Sequence, residues 1–509
     1  MEQLSKKLIA HNQAKKQLLQ DANEACNAHL PERIIQFGEG NFLRGFVDWM
    51  IHTLNKKGLF NGSIVAIQPT PHGKVVPKLN AQDGLYTLAQ RGMLNGTEVD
   101  EREIVTSISR GINPYTDWQK VLEVAENIDV RFMFSNTTEA GLTYLQEEYA
   151  MERSPLSFPG KVAAYLYHRF QTFQGAKEAG MILFPCELLD NNGQLLKEIV
   201  IRLATEWGFP QSFIDWVDQH NQFCNTLVDR IVTGFPREGI EQFNQELGYE
   251  DTLLTTCEPF HLFAIEAKPE IAAQLPFEKA GLNVHWKPVA PFRELKVRIL
   301  NGAHTMMFAA AYLSGLDTVK EAMEDEELQQ FIRTGVYEEI LPLLHINEEE
   351  KIRFADATLE RFSNPFNQHH LLDISLNSIF KWKTRILPSF LEAVREKKAL
   401  PAALTFSLAA LYVFYRPDHV KDHVWFGKRG DTVYPIRENE KTLRSIQILS
   451  DDNGEDLQRT IHAFLSNQQL WETDLTAVTQ LTETVTFHVQ SILEHGMKAA
   501  LRSLMGNKV

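Results

Sequence analysis

Arg33-Ile-Ile-Gln-Phe-Gly-Glu-Gly-Asn-Phe-Leu-Arg44 runs an apolar strand straight into two glycines and then into a helical pattern. Glycine at this point lets the backbone turn tightly and come close to a phosphate. The helix that follows offers unpaired N–H groups and the positive end of its dipole. The helix is predicted over Asn41–Lys57, with Phe42, Phe46, Met50 and Leu54 on one stripe and Gly58 as the stop. Strand, glycine pair and helix form the setting of a dinucleotide-binding turn. Leu43 stands where a third small residue is usual, so the stretch alone also reads as a plain tight turn.

Outward from this turn, Ser63–Ile67, Val130–Phe134 and Met181–Pro185 read as strands, and Trp118–Ala125 and Val162–Phe173 as helices. The alternation predicts a parallel sheet with crossover helices. Ligands collect at the carboxyl ends of such strands. There Ser135-Asn-Thr-Thr-Glu-Ala-Gly141 offers small and hydroxyl residues. Thr137 and Thr138 can line a cofactor groove or cap a helix. The second strand ends in Ile67-Gln-Pro-Thr70, with no acid for an adenosine ribose, so these residues do not choose NAD over NADP.

Beyond about residue 285 helical periodicity takes over, in Arg293–Leu313, Val319–Thr334, Lys351–Phe362, Leu376–Lys397 and Leu404–Tyr415. The expected architecture is an α/β Rossmann-type N-terminal domain over 1–285 and a mainly α-helical C-terminal domain over 286–509, with Asn283–Pro291 as the crossover. The longest apolar stretch, Ala399–Tyr415, contains Pro401, Thr405 and Ser407. It falls short of the ~20 apolar residues of a membrane span and reads as a buried core helix.

At 509 residues, 44% hydrophobic and 23% charged, the chain can bury a large core. Its net charge of −15 argues against a non-specific nucleic-acid binder, and leaves any anionic substrate to a local basic pocket. Cys26, Cys186, Cys224 and Cys257 form no CxxC pair, against structural zinc and a disulfide framework. The opening MEQLSKKLIAHNQAKKQLLQ lacks the apolar core of a signal peptide and reads as a surface helix. Together these suggest the cytoplasm. Oligomeric state is not legible.

The stretch richest in chemistry is Pro291-Phe-Arg-Glu-Leu-Lys-Val-Arg-Ile-Leu-Asn-Gly-Ala-His304. At about 100° per residue from Lys296, Arg293 falls at about 60°, Leu300 at about 40°, Asn301 at about 140° and His304 at about 80°. A metal-free dehydrogenase needs a proton donor/acceptor, a donor to the developing alkoxide, and a group that holds them. Lysine, asparagine and histidine can supply these. The same pattern also fits an amphipathic helix with Lys296 and Arg298 in solvent and His304 in the core. Gly302, costing ~1 kcal/mol against alanine within a helix, suggests close approach of a ligand.

Lys296-x4-Asn301-x2-His304 resembles the catalytic signature of the polyol-specific long-chain dehydrogenases, the mannitol dehydrogenase family. Gly38-x-Gly40-x-Phe42-x-Arg44 is similar to the family's dinucleotide fingerprint, Thr138-Glu-Ala-Gly141 to its Thr-Glu-x-Gly loop, and Cys186-Glu-Leu-Leu-Asp-Asn-Asn-Gly193 to its Cys-Asp-Asn-x3-Asn-Gly segment. Val228-Asp-Arg-Ile231 and Lys381-x3-Arg385-Ile-Leu-Pro388 match two further signatures. The resemblance implies NAD, no metal, and a small-molecule polyol or sugar acid as substrate. It implies Lys296 as acid/base, Asn301 in an oxyanion hole with Asn192 as its second asparagine, and His304 as positioner. By the same resemblance Phe37, Gly38, Gly40, Asn41, Phe42, Arg44, Thr137, Thr138, Glu139 and Asp229 belong to the cofactor site, and Lys381 to the substrate site. Leu188 stands where the family's other asparagine falls, and Asp373 where many members place arginine. Polyol-oxidising members usually carry glutamate three residues before the lysine. Arg293 stands there instead and would favour a sugar acid, by pairing with its carboxylate or through the local field.

Overall fold

The computed structural model describes residues 1–12, 17–27, 30–453 and 456–506. It divides into two compact units, Met1–Arg91 with Glu98–Val289, and Gly92–Thr97 with Ala290–Val509.

The first unit is built on a six-stranded sheet of β1 (Glu32–Phe37), β2 (Ser63–Ile67), β3 (Ile108–Ile112), β4 (Phe132–Ser135), β5 (Ile182–Pro185) and β6 (Gln222–Phe223). Their order is β3-β2-β1-β4-β5-β6, and every pairing is parallel. This is the doubly wound order, and β1 lies at its switch point. Successive residues of β1 enter opposite cores. Ile34 packs with Phe46 and Met50 of the following helix, and Ile35 and Phe37 pack with Val162 and Leu166 of Phe158–Thr172. Burial on both faces explains the near-continuous apolar strands.

Two smaller sheets complete this unit. One pairs Asn225–Asp229, Leu262–Glu266 and Val284–His285. The other includes the hairpin Tyr86–Leu94 and Thr97–Val105, whose tip Gly92–Thr97 counts with the second unit and which was not predicted from the sequence. Its signal was Asn95-Gly96, both at positive φ (54° and 75°), as a tight hairpin turn requires. Near the amino terminus Leu4, Leu8 and Ile9 pack with Phe243, Leu247 and Tyr249, so this segment is more than a surface helix; residues 13–16 of the predicted helix lie outside the described residues.

The helix after β1 is interrupted. Asn41–Leu43 is α, Arg44–Asp48 is π and Trp49–Lys56 is α again. A π turn disturbs the regular carbonyl ladder. Here tertiary donors reach it: Tyr86 Oη donates to Arg44 O (2.6 Å), Arg230 to Gly45 O (2.6 Å) and Ser107 Oγ to Asp48 O (2.7 Å).

The second unit is mainly helical. Gly302–Leu313 and Ala402–Phe414 are buried almost all round and pack on each other. This is why Ala399–Tyr415 is so apolar. Among the described residues no helix is long and apolar enough to cross a membrane. Two predicted long helices are broken. Asp325 accepts from Leu328 N (3.2 Å) and starts a new helix at Glu326. Pro388, at the start of Leu387–Lys397, separates it from Ser378–Arg385. A three-stranded antiparallel sheet, His419–Lys421, Val424–Arg429 and Thr432–Ile436, was not anticipated.

Candidate functional site

At the switch point Gly38 has φ +122°, and a Cβ there would meet Leu43 Cδ1 at 2.9 Å and Asn136 O at 3.0 Å. Only glycine fits this position. Gly40 has open space where a side chain would stand, beside the start of the helix at Asn41. An uncluttered backbone at a helix N-terminus suits a pyrophosphate. Asn136 N donates to Phe37 O (3.1 Å), tying the loop after β4 to the loop after β1.

The remaining predicted cofactor residues divide into two groups. Phe37 is fully buried in the core, and Phe42 stacks on Phe46 at 5.0 Å. Arg44 is buried: Nε donates to Thr255 Oγ1 (3.1 Å), one terminal nitrogen to Asn41 Oδ1 (2.6 Å) and the other to Glu39 O. It braces the glycine turn from within. Asp229 is buried at the end of its strand, and its neighbour Arg230 is spent on Gly45 O, Glu258 O and Gln90 Oε1.

Thr137 and Thr138 do not cap a helix, because the next helix starts at Phe158. Thr137 donates to Glu187 Oε1 through its backbone N (2.8 Å) and its hydroxyl (3.0 Å), and Ser135 Oγ donates to Glu187 Oε2 (3.0 Å). Glu187 went unnoticed in the sequence, yet this buried acid holds the loop. Thr138 takes φ +74°, a strained conformation for a β-branched residue, and Glu139 beside it is exposed.

Asn192 requires a correction. Its side chain is buried, with Nδ2 within hydrogen-bond distance of Pro185 O (2.9 Å), Glu187 O (3.0 Å), Thr226 O (3.2 Å) and Thr226 Oγ1 (3.2 Å). Its Oδ1 accepts from Gly193 N and Thr226 N. Every polar atom of the carboxamide is engaged with protein, leaving no N–H for an oxyanion. It fastens β5 to the strand Asn225–Asp229.

In the second unit Val289–Leu295 is α, Lys296–Asn301 is π and Gly302–Leu313 is α. This departs from the uniform 100° spacing read from the sequence. Bonding i→i+5 places residues five apart roughly one turn from each other. Asn301 therefore rises over Lys296 instead of standing about 140° away, and His304 follows at the (i, i+3) spacing of neighbours. The π turn thus turns Asn301 towards the Lys296 side of the helix, with His304 one turn further on.

Among the described residues the Asn301 carboxamide has no protein hydrogen-bond partner; its backbone carbonyl accepts from Thr305 Oγ1 (2.8 Å). Lys296 and Arg293, the latter on the turn before, are both partly buried. His304 stacks on Phe362 (ring centroids 4.2 Å) and meets His369 edge-on (4.9 Å). Its Nε2 is shielded from solvent and has no hydrogen-bond partner among the described residues, a rare condition for a buried polar atom. Burial, then His369, Arg361, Arg385 and Lys381, hold its pKa well below the usual range, so the imidazole is neutral. Lys381 and Arg385 lie on one face of Ser378–Arg385, and Lys381 Nζ donates to Ile374 O (2.9 Å). Arg361 and His369 were not singled out from the sequence, and Arg385 entered only as part of the signature Lys381-x3-Arg385, without a role.

Two further expectations change. Arg298 is not in solvent: it donates to Ser389 Oγ (2.9 Å) and pairs with Glu294 (3.0 Å) and Glu392 (2.6 Å). Gly302 does not face a ligand, since a Cβ there would meet Ile386 at 3.6 Å and Ile340 at 3.8 Å, ordinary contact in the core. Among the described residues one group has metal-ligand spacing, His345, Glu392 and Glu396, with ligand atoms within 4.8 Å of one another. It lies at the surface, and Glu392 is already paired with Arg298.

Two family models match this chain. The mannitol dehydrogenase Rossmann domain matches residues 32–279, and the mannitol dehydrogenase C-terminal domain matches residues 288–493. Altronate oxidoreductase of Halalkalibacterium halodurans is 49% identical over 482 residues, 94% of each chain. Altronate oxidoreductase of Escherichia coli is 43% identical over 94% of this chain and 98% of its own. Among solved structures, a D-sorbitol dehydrogenase aligns with TM-score 0.76 at 21% identity, covering 93% of this chain and 95% of that one. Pseudomonas fluorescens mannitol 2-dehydrogenase aligns with TM-score 0.63 at 20% identity, covering 94% and 95%. The chain belongs to the mannitol dehydrogenase family and is an oxidoreductase acting on CH–OH groups.

Proposed function

We propose that this enzyme interconverts D-tagaturonate and D-altronate with NAD(H), without a metal, as a cytoplasmic step of hexuronate catabolism. The observation that carries the reading is the π turn Lys296–Asn301, with His304 on the α turn that follows, in a chain 43–49% identical to altronate oxidoreductases.

The first unit binds the dinucleotide at Gly38, Gly40 and the helix start at Asn41, with the loop at Thr137–Glu139 as a second wall. When bound, the dinucleotide supplies or accepts the hydride. Lys296 gives its proton to the oxygen of the ketone as this becomes an alcohol, and takes it back in the reverse direction. Asn301, with its carboxamide unspent, donates to that oxygen while charge builds on it. His304 is neutral, so its Nε2 can bond to the Lys296 amine or to a substrate hydroxyl and hold it in place. Asn192 has no part in this step; it supports the strand ends.

Arg293, one turn before Lys296, supports a sugar acid over a neutral polyol. A glutamate there would repel a uronate, whereas a cation attracts it. The test is NADH oxidation with D-tagaturonate and D-fructuronate side by side, and NAD reduction with D-mannitol. The reading expects tagaturonate to have the highest kcat/KM. A preference for fructuronate or mannitol would reassign the enzyme within its family, and no turnover with any of them would point to a dinucleotide sensor.

A further inference from the structure

Lys381 and Arg385 are cations without counter-ions. Among the described residues neither has a carboxylate within ion-pair distance. The acid that acts on Lys381 is Glu438, already taken by Tyr415 Oη (2.7 Å) and Ile379 N (3.4 Å); Asp373 pairs with Arg437. Among the described residues Arg385 makes one long hydrogen bond, from a terminal nitrogen to Thr305 Oγ1 at 3.4 Å, leaving four of its five donors unspent there. The Arg385 charge also acts on the His304 imidazole, which places the guanidinium near that ring. Trp382, fully buried with Nε1 on Ser407 Oγ (3.0 Å), fixes the helix that carries both cations.

Burying positive charge without a partner is costly. Burial and mutual repulsion lower the pKa of Lys381, and burial lowers that of Arg385. An anion would relieve both. A planar guanidinium with parallel N–H donors matches a carboxylate, and a lysine of the same helix face adds a second charge.

The geometry points to Arg385, backed by Lys381, as the site that takes the carboxylate of the substrate and so separates sugar acids from neutral polyols. This inference rests on the proposed sugar-acid activity. It places the direct ionic contact on Ser378–Arg385 and leaves Arg293 a field effect.

The experiment compares wild type, Arg385→Leu, Arg385→Lys and Lys381→Met with altronate and with the corresponding neutral hexitol, recording KM and kcat separately. Losing a charge-assisted contact should raise KM for altronate on the order of 10–100-fold in Arg385→Leu, while the hexitol reaction is unchanged or improves. Arg385→Lys should recover part of the loss, and Lys381→Met should show a smaller effect in the same direction. An unchanged KM for altronate in Arg385→Leu, or an equal loss on acid and hexitol, would overturn the inference. Should Arg385→Leu not fold, Arg385→Lys and Lys381→Met decide: normal altronate KM in both also overturns it. A wild type that ignores altronate refutes the parent reading instead, so the two failures are distinguishable.

Discussion

Two asparagines that look alike in the sequence have opposite fates in the structure. Asn192 is buried with its amide engaged by Pro185, Glu187 and Thr226, whereas the Asn301 carboxamide has no protein partner among the described residues. A residue type and a motif position cannot tell these apart, because what differs is the backbone that surrounds each side chain. The consequences are separable. Asn301→Ala should cut kcat by about 10²–10³-fold with little change in melting temperature, as expected for an oxyanion donor. Asn192→Ala leaves buried carbonyls and N–H groups unpaired and should cost about 1–3 kcal/mol of stability. Steady-state kinetics and thermal melts of the two variants check this. Arg44 and Arg230 teach the same lesson: both lie in signature motifs, and both spend their donors inside the fold, on Glu39 O and Gly45 O among others.

At the scale of elements, the π turns at Arg44–Asp48 and Lys296–Asn301 are what the sequence concealed. Apolar periodicity reports which face is buried over several turns, and one extra residue within a turn hardly alters it. Element boundaries, by contrast, were legible: the strand Ser63–Ile67 and the helix Trp118–Ala125 form over those residues, and of the stripe Phe42, Phe46, Met50 and Leu54 the last three are fully buried. The first π turn also buries Asp48, whose pKa burial pushes up to about 8, with Gln36 and Arg44 offsetting only part of the shift. A raised carboxyl favours the folded state below its unfolded pKa, and the advantage is lost as pH climbs towards the folded value. Asp48→Asn should therefore melt higher than wild type at pH 8, by about 2–4 °C per kcal/mol, with the gap closing near pH 4. Melting curves across that range test it; a gap that does not vary with pH would show that Asp48 is not the titrating group.

For the whole molecule, the division into a parallel-sheet unit and a helical unit was readable because each has its own hydrophobic period. A parallel sheet with crossover helices followed from alternation and the glycine turn, whereas its order, its short strands Ile108–Ile112 and Gln222–Phe223, the sheet after Phe414 and the hairpin at Asn95-Gly96 rested on pairing and turn signals that periodicity overlooks. The catalytic reading likewise combines two independent parts, a nucleotide turn in one unit and a proton-transfer line in the other. Removing Lys296 should therefore separate binding from chemistry. The decisive measurement is NADH titration and NADH oxidation with D-tagaturonate in Lys296→Ala. NADH binding should match wild type while turnover falls by about 10²–10⁴-fold. Near-normal turnover in that variant would contradict the assignment of Lys296 and the mechanism built on it.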